Sequence, residues 1–148
     1  SAVDLSAAAA SAPGPGVLEA LTRAETVIVC PSNPVVSIGT ILALPGVRDL
    51  LEARHDAVSI SPLVGGAPVK GPADRLLRAV GAEVSSAGVA NLYRSFCRGM
   101  VIDRRDAHER DAIQRLGLEV RVEETLMRTP EIAANLARSV LELAGARF

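Results

Sequence analysis

The apolar run Val27-Ile28-Val29 breaks at Cys30-Pro31-Ser32-Asn33-Pro34 and resumes as Val35-Val36 before Ser37, Ile38 and Gly39. Short hydroxyl and amide side chains at a turn from strand to helix suit polar ligands. A helix start also carries unsatisfied N–H groups and the positive end of the macrodipole, which together attract phosphate. Pro31 and Pro34 fix φ and pre-organise the turn at little entropic cost. Ser32, Asn33, Pro34, Ser37 and Gly39 are therefore candidates for one wall of an anion or polar-ring pocket. The same residues would serve equally as a capped turn with no ligand.

A second stretch, Leu63-Val-Gly-Gly-Ala-Pro-Val-Lys-Gly-Pro72, pairs Gly65 and Gly66 and then sets Lys70 beside Gly71. Glycines let backbone approach a ligand closely, and a lysine among small residues can act as a point charge for phosphate. The spacing is not that of a P-loop, and no Gly-Lys-Ser/Thr occurs. A surface loop with a solvated lysine is the plainer alternative. Asp103 and Asp106 flank two arginines, and paired carboxylates at an open edge are candidates for Mg²⁺, or else for an aspartate cap with solvated charges. His55 and His108 have no partners at useful spacing. There is no Ser-His-Asp order and no GxGxxG.

The rest of the composition narrows the field. Aromatic residues are 2% of the chain and the formal net charge is −1. A base-stacking surface has almost nothing to work with, and the electrostatic case for nucleic acid or an anionic membrane is absent. Fifteen arginines accompany a single lysine, Lys70. Cys30 and Cys97 match no metal or redox spacing and read as free thiols of a reducing cytosol. No apolar run approaches the roughly 20 residues of a membrane span, and no secretory signal is visible, so a cytoplasmic protein is expected.

The elements that must position these residues alternate. Residues 1–14, small and punctuated by Pro and Gly, read as an extended lead-in. Residues 15–148 read as one unit, the C-terminal half of a Rossmann-like domain. Buried-type strands are expected at 26–30, 57–61, 99–103 and 118–122. Helices are expected at 16–24, 37–44, 47–51, 73–80, 86–96, 106–116 and 130–144, the last with Thr129 as N-cap and Pro130 at its first position. Strands separated by helices imply parallel crossovers and a doubly wound α/β sheet with helices on both faces. In such sheets ligands bind beyond the carboxyl ends of the strands, at the switch point of strand order. The loops 30–34, 61–71 and 103–106 all follow strands, so they should converge on one crevice. The stripe Ile132, Leu136, Val140, Leu143 would bury against this sheet or, alternatively, against a second copy in a homodimer.

Three segments, PSNPVVSIGTILALPGVRDLL, VSISPLVGGAPVKGPADRLL and SSAGVANLY, with APGPGVLEAL upstream, resemble the 2-phospholactate transferase family of deazaflavin coenzyme F-420 biosynthesis. The resemblance runs from about residue 13 to the C-terminus. It implies a Mg²⁺-assisted enzyme that moves a phospholactyl or phosphoenolpyruvyl unit from a guanylylated donor to the hydroxyl of the deazaflavin Fo, releasing GMP. It also implies Ser32, Asn33 and Ser37 at the acceptor or phosphate edge, and Gly65, Gly66 and Lys70 near the nucleotide donor. The glycine-rich loop and acidic residues of the first half of such enzymes have no counterpart in this sequence. Catalytic residues are accordingly expected in that absent half, and this chain alone should be inactive. A related class of gluconeogenesis-factor-like regulators, non-catalytic nucleotide or sugar-nucleotide binders, is the alternative; it would read closer to GPGS than to PSNP at the same turn.

Overall fold

The computed structural model describes residues 3–146; the outermost residues of the lead-in and of the main unit, 1–2 and 147–148, lie outside them. A short helix α1 (Ser6–Ala9) and α2 (Val17–Arg23) precede strand β1 (Ile28–Val29). A π-helical turn, Pro34–Ile38, runs into α3 (Gly39–Leu42), and α4 (Val47–Arg54) follows. Next come β2 (Ala57–Ile60), the short strands β3 (Leu63–Val64) and β4 (Ala67–Pro68), α5 (Ala73–Ala79) and α6 (Ser86–Tyr93). The chain ends with β5 (Cys97–Asp103), a 3-10 turn Arg104–Glu109, α7 (Arg110–Gln114), β6 (Glu119–Glu123) and α8 (Pro130–Leu143).

The expected α/β architecture is present: a parallel sheet in the order β1-β2-β5-β6, with helices on both faces. Strand order advances in one direction only, so no reversal, and hence no switch point, falls within the described residues. Right-handed crossovers between strands added in one direction put their helices on one face. The packing agrees. Ala57, Cys97, Met100 and Ile102 pack with Val47, Leu51, Leu77, Val89, Tyr93, Phe96 and Ile113, so α4 to α7 share that face. Val58, Ile60 and Val101, alternating with the first set along the strands, meet Leu136, Val140 and Leu143 of α8 on the other. The apolar stripe of α8 is thus buried against its own sheet. With almost no aromatics, the core depends on aliphatic burial; one tilted aromatic pair, Tyr93 and Phe96, has ring centroids 5.3 Å apart.

Four expectations need correction. The lead-in contains α1, whose Leu5 flank packs near Gly39. In the sheet formed by the described residues β1 lies at the edge, paired with β2 alone, where a buried strand was expected, and Ile28 is 38% exposed. The loop after β2 is an antiparallel hairpin, Leu63 facing Pro68 and Val64 facing Ala67. Its turn is Gly65-Gly66, both with positive φ (63° and 71°), as a tight two-residue hairpin requires. The expected helix at 106–116 is half 3-10, because the Asp103 side chain caps Arg105 N and starts the turn at Arg104, two residues early.

Candidate functional site

Beyond the carboxyl ends of β1 and β2 lies an open cleft of about 450 Å³. Pro31, Ser32, Asn33, Val36 and Ser37 form one wall, and Pro68, Val69, Lys70 and Gly71 the other. Asn33 and Lys70, separated by two helices and three strands in sequence, therefore face one space. Pro31, Pro62 and Val69 also border a second lobe of about 290 Å³, completed by Ser61, Val64, Thr125, Leu126 and Met127.

The first wall is built by Asn33. Its side-chain oxygen accepts from Val35 N at 2.9 Å and Val36 N at 3.1 Å, while its carbonyl accepts from Ser37 N and Ile38 N. Gly39 N reaches back to Pro34 O, the i+5 bond of a π-turn. Pro34 has no N–H to satisfy. The helix-start amides are consequently spent within the turn and do not offer the phosphate cradle expected of them. What the turn brings to the cleft is the side chains of Ser32, Asn33 and Ser37.

The second wall rests on the hairpin. Lys70 is exposed and has no carboxylate within ion-pair distance among the described residues, so its charge is available to a ligand. Gly71 lies beside it, with a positive φ of 77°. Val69 and Met127 are 59% and 54% exposed, and Val36 is 44% exposed, so half of the large exposed apolar side chains among the described residues border the two lobes. Exposed apolar surface concentrated in a concave site is the usual dressing of a small-molecule pocket.

Several residues singled out from sequence stand elsewhere. Pro34 and Gly39 lie on the back of the π-turn and line a small apolar cavity with Leu5, Leu42 and Tyr93. Gly65 and Gly66 sit at the hairpin tip, where their amides donate to the two carboxylate oxygens of Asp106 at 2.9 and 2.8 Å. Asp103 accepts from Arg105 N, Thr125 N and Thr125 Oγ1. The 103–106 loop thus braces the site without lining it. Thr125, Leu126 and Met127, after β6 at the same sheet edge, were not singled out from sequence. Their position beyond the carboxyl end of the fourth strand was the signal that could have found them.

A magnesium site does not fit here. Asp103 and Asp106 are buried and turned toward N–H and O–H donors. No cluster of three or more His, Cys, Asp or Glu side chains suited to a metal occurs among the described residues. Burial works against ionisation of Asp103, but its hydrogen bonds to Arg105 and Thr125, with the charge of Arg105, hold its carboxyl below the ordinary value. Glu109 goes the other way. Burial raises it, helped by Asp106 and Glu83, against a hydrogen bond of 2.7 Å from Ala87 N and the charge of His108. No single helix among the described residues is long and apolar enough to cross a membrane.

A parallel α/β sheet with a cleft of short polar side chains and one lysine beyond its strand ends is a small-molecule site of the Rossmann-like kind. The chain belongs to the family described as 2-phospho-L-lactate transferase CofD, matched over residues 2–134. It is 43% identical over 141 residues to a 2-phospho-L-lactate transferase of Methanosarcina barkeri, covering 95% of this chain and 45% of that protein. It is 45% identical over 134 residues to a phosphoenolpyruvate transferase of Kitasatospora aureofaciens and 46% identical over 134 residues to one of Streptomyces griseus, in each case covering 89% of this chain and 42% of the relative. The chain spans less than half the length of these relatives.

Proposed function

We propose that this chain is the part of a transferase of coenzyme F-420 biosynthesis that binds its substrates through the Ser32–Lys70 cleft. The reaction moves a phospholactyl or phosphoenolpyruvyl unit from a guanylylated donor to the hydroxyl of the deazaflavin Fo. A new P–O bond forms to the acceptor oxygen, which loses its proton, while the diphosphate P–O bond breaks and GMP leaves with the electron pair. Such chemistry asks of the protein mainly positioning and charge neutralisation. Lys70 supplies positive charge for the diphosphate, and Ser32, Asn33 and Ser37 orient polar groups opposite it. Magnesium, where the reaction uses it, draws its ligands and the catalytic groups from residues outside this segment.

The observation that carries the reading is the meeting of Lys70 with the Ser32–Asn33–Ser37 turn across one cleft, in a chain whose relatives are named as transferases. Those names favour catalysis over the regulator alternative. The test is incubation of the full-length protein carrying this segment with Fo and each guanylylated donor, with GMP and phosphorylated deazaflavin followed by mass spectrometry. GMP release that depends on Fo is the expected result; no coupled product with either donor overturns the reading.

A further inference from the structure

We propose that Asp106, which lines neither lobe of the cleft, is the positioning residue for Lys70. This deepens the reading of Lys70 as a diphosphate contact and rests on it. Between buried Leu63 and buried Ala73, residues 65–72 are almost all exposed and make little core contact of their own. Two β3–β4 residue pairs close the hairpin. The side-chain hydrogen bonds that reach residues 64–72 from elsewhere in the described chain are the two from Gly65 N and Gly66 N to Asp106.

The geometry of that bond is specific. Two successive positive-φ glycines turn their amides the same way and form a small anion-binding concavity. Asp106 fills it with one oxygen per amide and is itself completely buried, on the loop after β5. The paired glycines look from sequence like a phosphate cradle; here the anion they hold is the protein's own. Arg105, whose side chain lies against Gly65, packs over the same turn. The hairpin tip is thereby pinned to the sheet, and the arm Ala67–Gly71 that leaves it carries Lys70 to the cleft wall. Without the pin, the arm must be ordered at the moment of binding, which lowers affinity without removing a ligand contact.

The test is a double-mutant cycle read by calorimetric titration of the full-length protein carrying this segment with pyrophosphate. Lys70→Ala is expected to weaken binding about tenfold, and Asp106→Asn, which leaves one amide facing an NH₂ group, to weaken it by a similar factor. In the Lys70→Ala background, Asp106→Asn should cost nothing further, because it acts through Lys70. A merely stabilising aspartate would lower the melting temperature and leave affinity unchanged. Gly65→Ala, which strains the turn at φ 63° without touching Asp106, serves if Asp106→Asn fails to fold; it should also weaken binding. Unchanged affinity in a folded Asp106→Asn or Gly65→Ala variant, or additive losses in the double variant, overturns the proposal. Unchanged affinity in Lys70→Ala overturns the reading of Lys70 beneath it.

Discussion

Oδ2 of Asp103 accepts two hydrogen bonds from Thr125, one from its amide and one from its hydroxyl, both at 3.1 Å. They tie the end of β5 to the segment that carries Leu126 and Met127 into the second lobe. Because the folded chain holds Asp103 below its ordinary carboxyl value, its contribution to stability is complete above pH ~4 and is lost as pH falls through the folded value. Asp103→Asn should therefore lower stability at pH 7 by about 1–3 kcal/mol and flatten the acid limb of the unfolding profile. Denaturant melts from pH 2 to 7 measure both. An unaltered acid limb in the variant would show that Asp103 does not set it.

Glu109 should act with the opposite sign. Its folded value is raised, first by burial and then by Asp106 and Glu83, so the fold favours the protonated form. Its contribution is fully present below the unfolded value near 4.5 and is lost as pH rises through the folded one. Glu109→Gln keeps an acceptor for Ala87 N and removes the charge. The variant is expected to match or exceed the parent in stability at pH 7, and to lose the parent's decline between pH 4 and 7. Melting temperatures of the two proteins across that range decide it; parallel profiles would dismiss the effect.

The cysteines divide by burial. The Cys97 thiol is pushed up to about 12, chiefly by burial, whereas Cys30 is exposed where β1 ends. Only thiolate reacts readily with disulfide reagents. One thiol per chain should react in the native state and two after unfolding. Rapid native modification of both would mean that the face of the sheet holding Cys97 opens easily.

Much of this architecture was legible in the sequence because it depends on period and punctuation. Apolar runs at β2 and β5, Pro45-Gly46 before α4, and Thr129-Pro130 before α8 are local signals, and the elements formed where those signals lie. The failures have a shared cause: they turn on partners distant in sequence. Nothing in Val27-Ile28-Val29 reveals that, among the described residues, β1 pairs with β2 alone. Gly65-Gly66 read as a ligand loop because the anion filling it, Asp106, lies 40 residues away. The convergence of the first two loops was predictable from strand polarity alone. The third place belongs to residues 125–127, since residues 103–106 are consumed in bracing.

Lys70→Ala in the full-length protein carrying this segment should raise the donor KM about fivefold to tenfold while changing the acceptor KM less, because a point charge acts on phosphate. Lys70 is exposed, so the difference should shrink as salt is raised. Steady-state kinetics with each substrate varied in turn, at low and high ionic strength, provide the measurement. Equal effects on the two KM values would place the lysine away from the diphosphate.

Asn33 has two tasks that substitution can separate. Its oxygen caps the π-turn through Val35 N and Val36 N, so Asn33→Ala should cost about 1 kcal/mol of stability as well as affinity, and cannot by itself report on binding. Asn33→Asp retains the capping oxygen and adds a negative charge that the start of a helix tolerates well. Its stability should stay within about 0.5 kcal/mol of the parent. The same charge faces the cleft across from Lys70, where it would repel a diphosphate and compete for the lysine. Pyrophosphate binding by calorimetry should therefore fall in Asn33→Asp by more than in Asn33→Ala, although the aspartate variant is the more stable of the two. If affinity instead follows stability, with the alanine variant the weaker binder, Asn33 serves the turn alone and the ligand lies elsewhere.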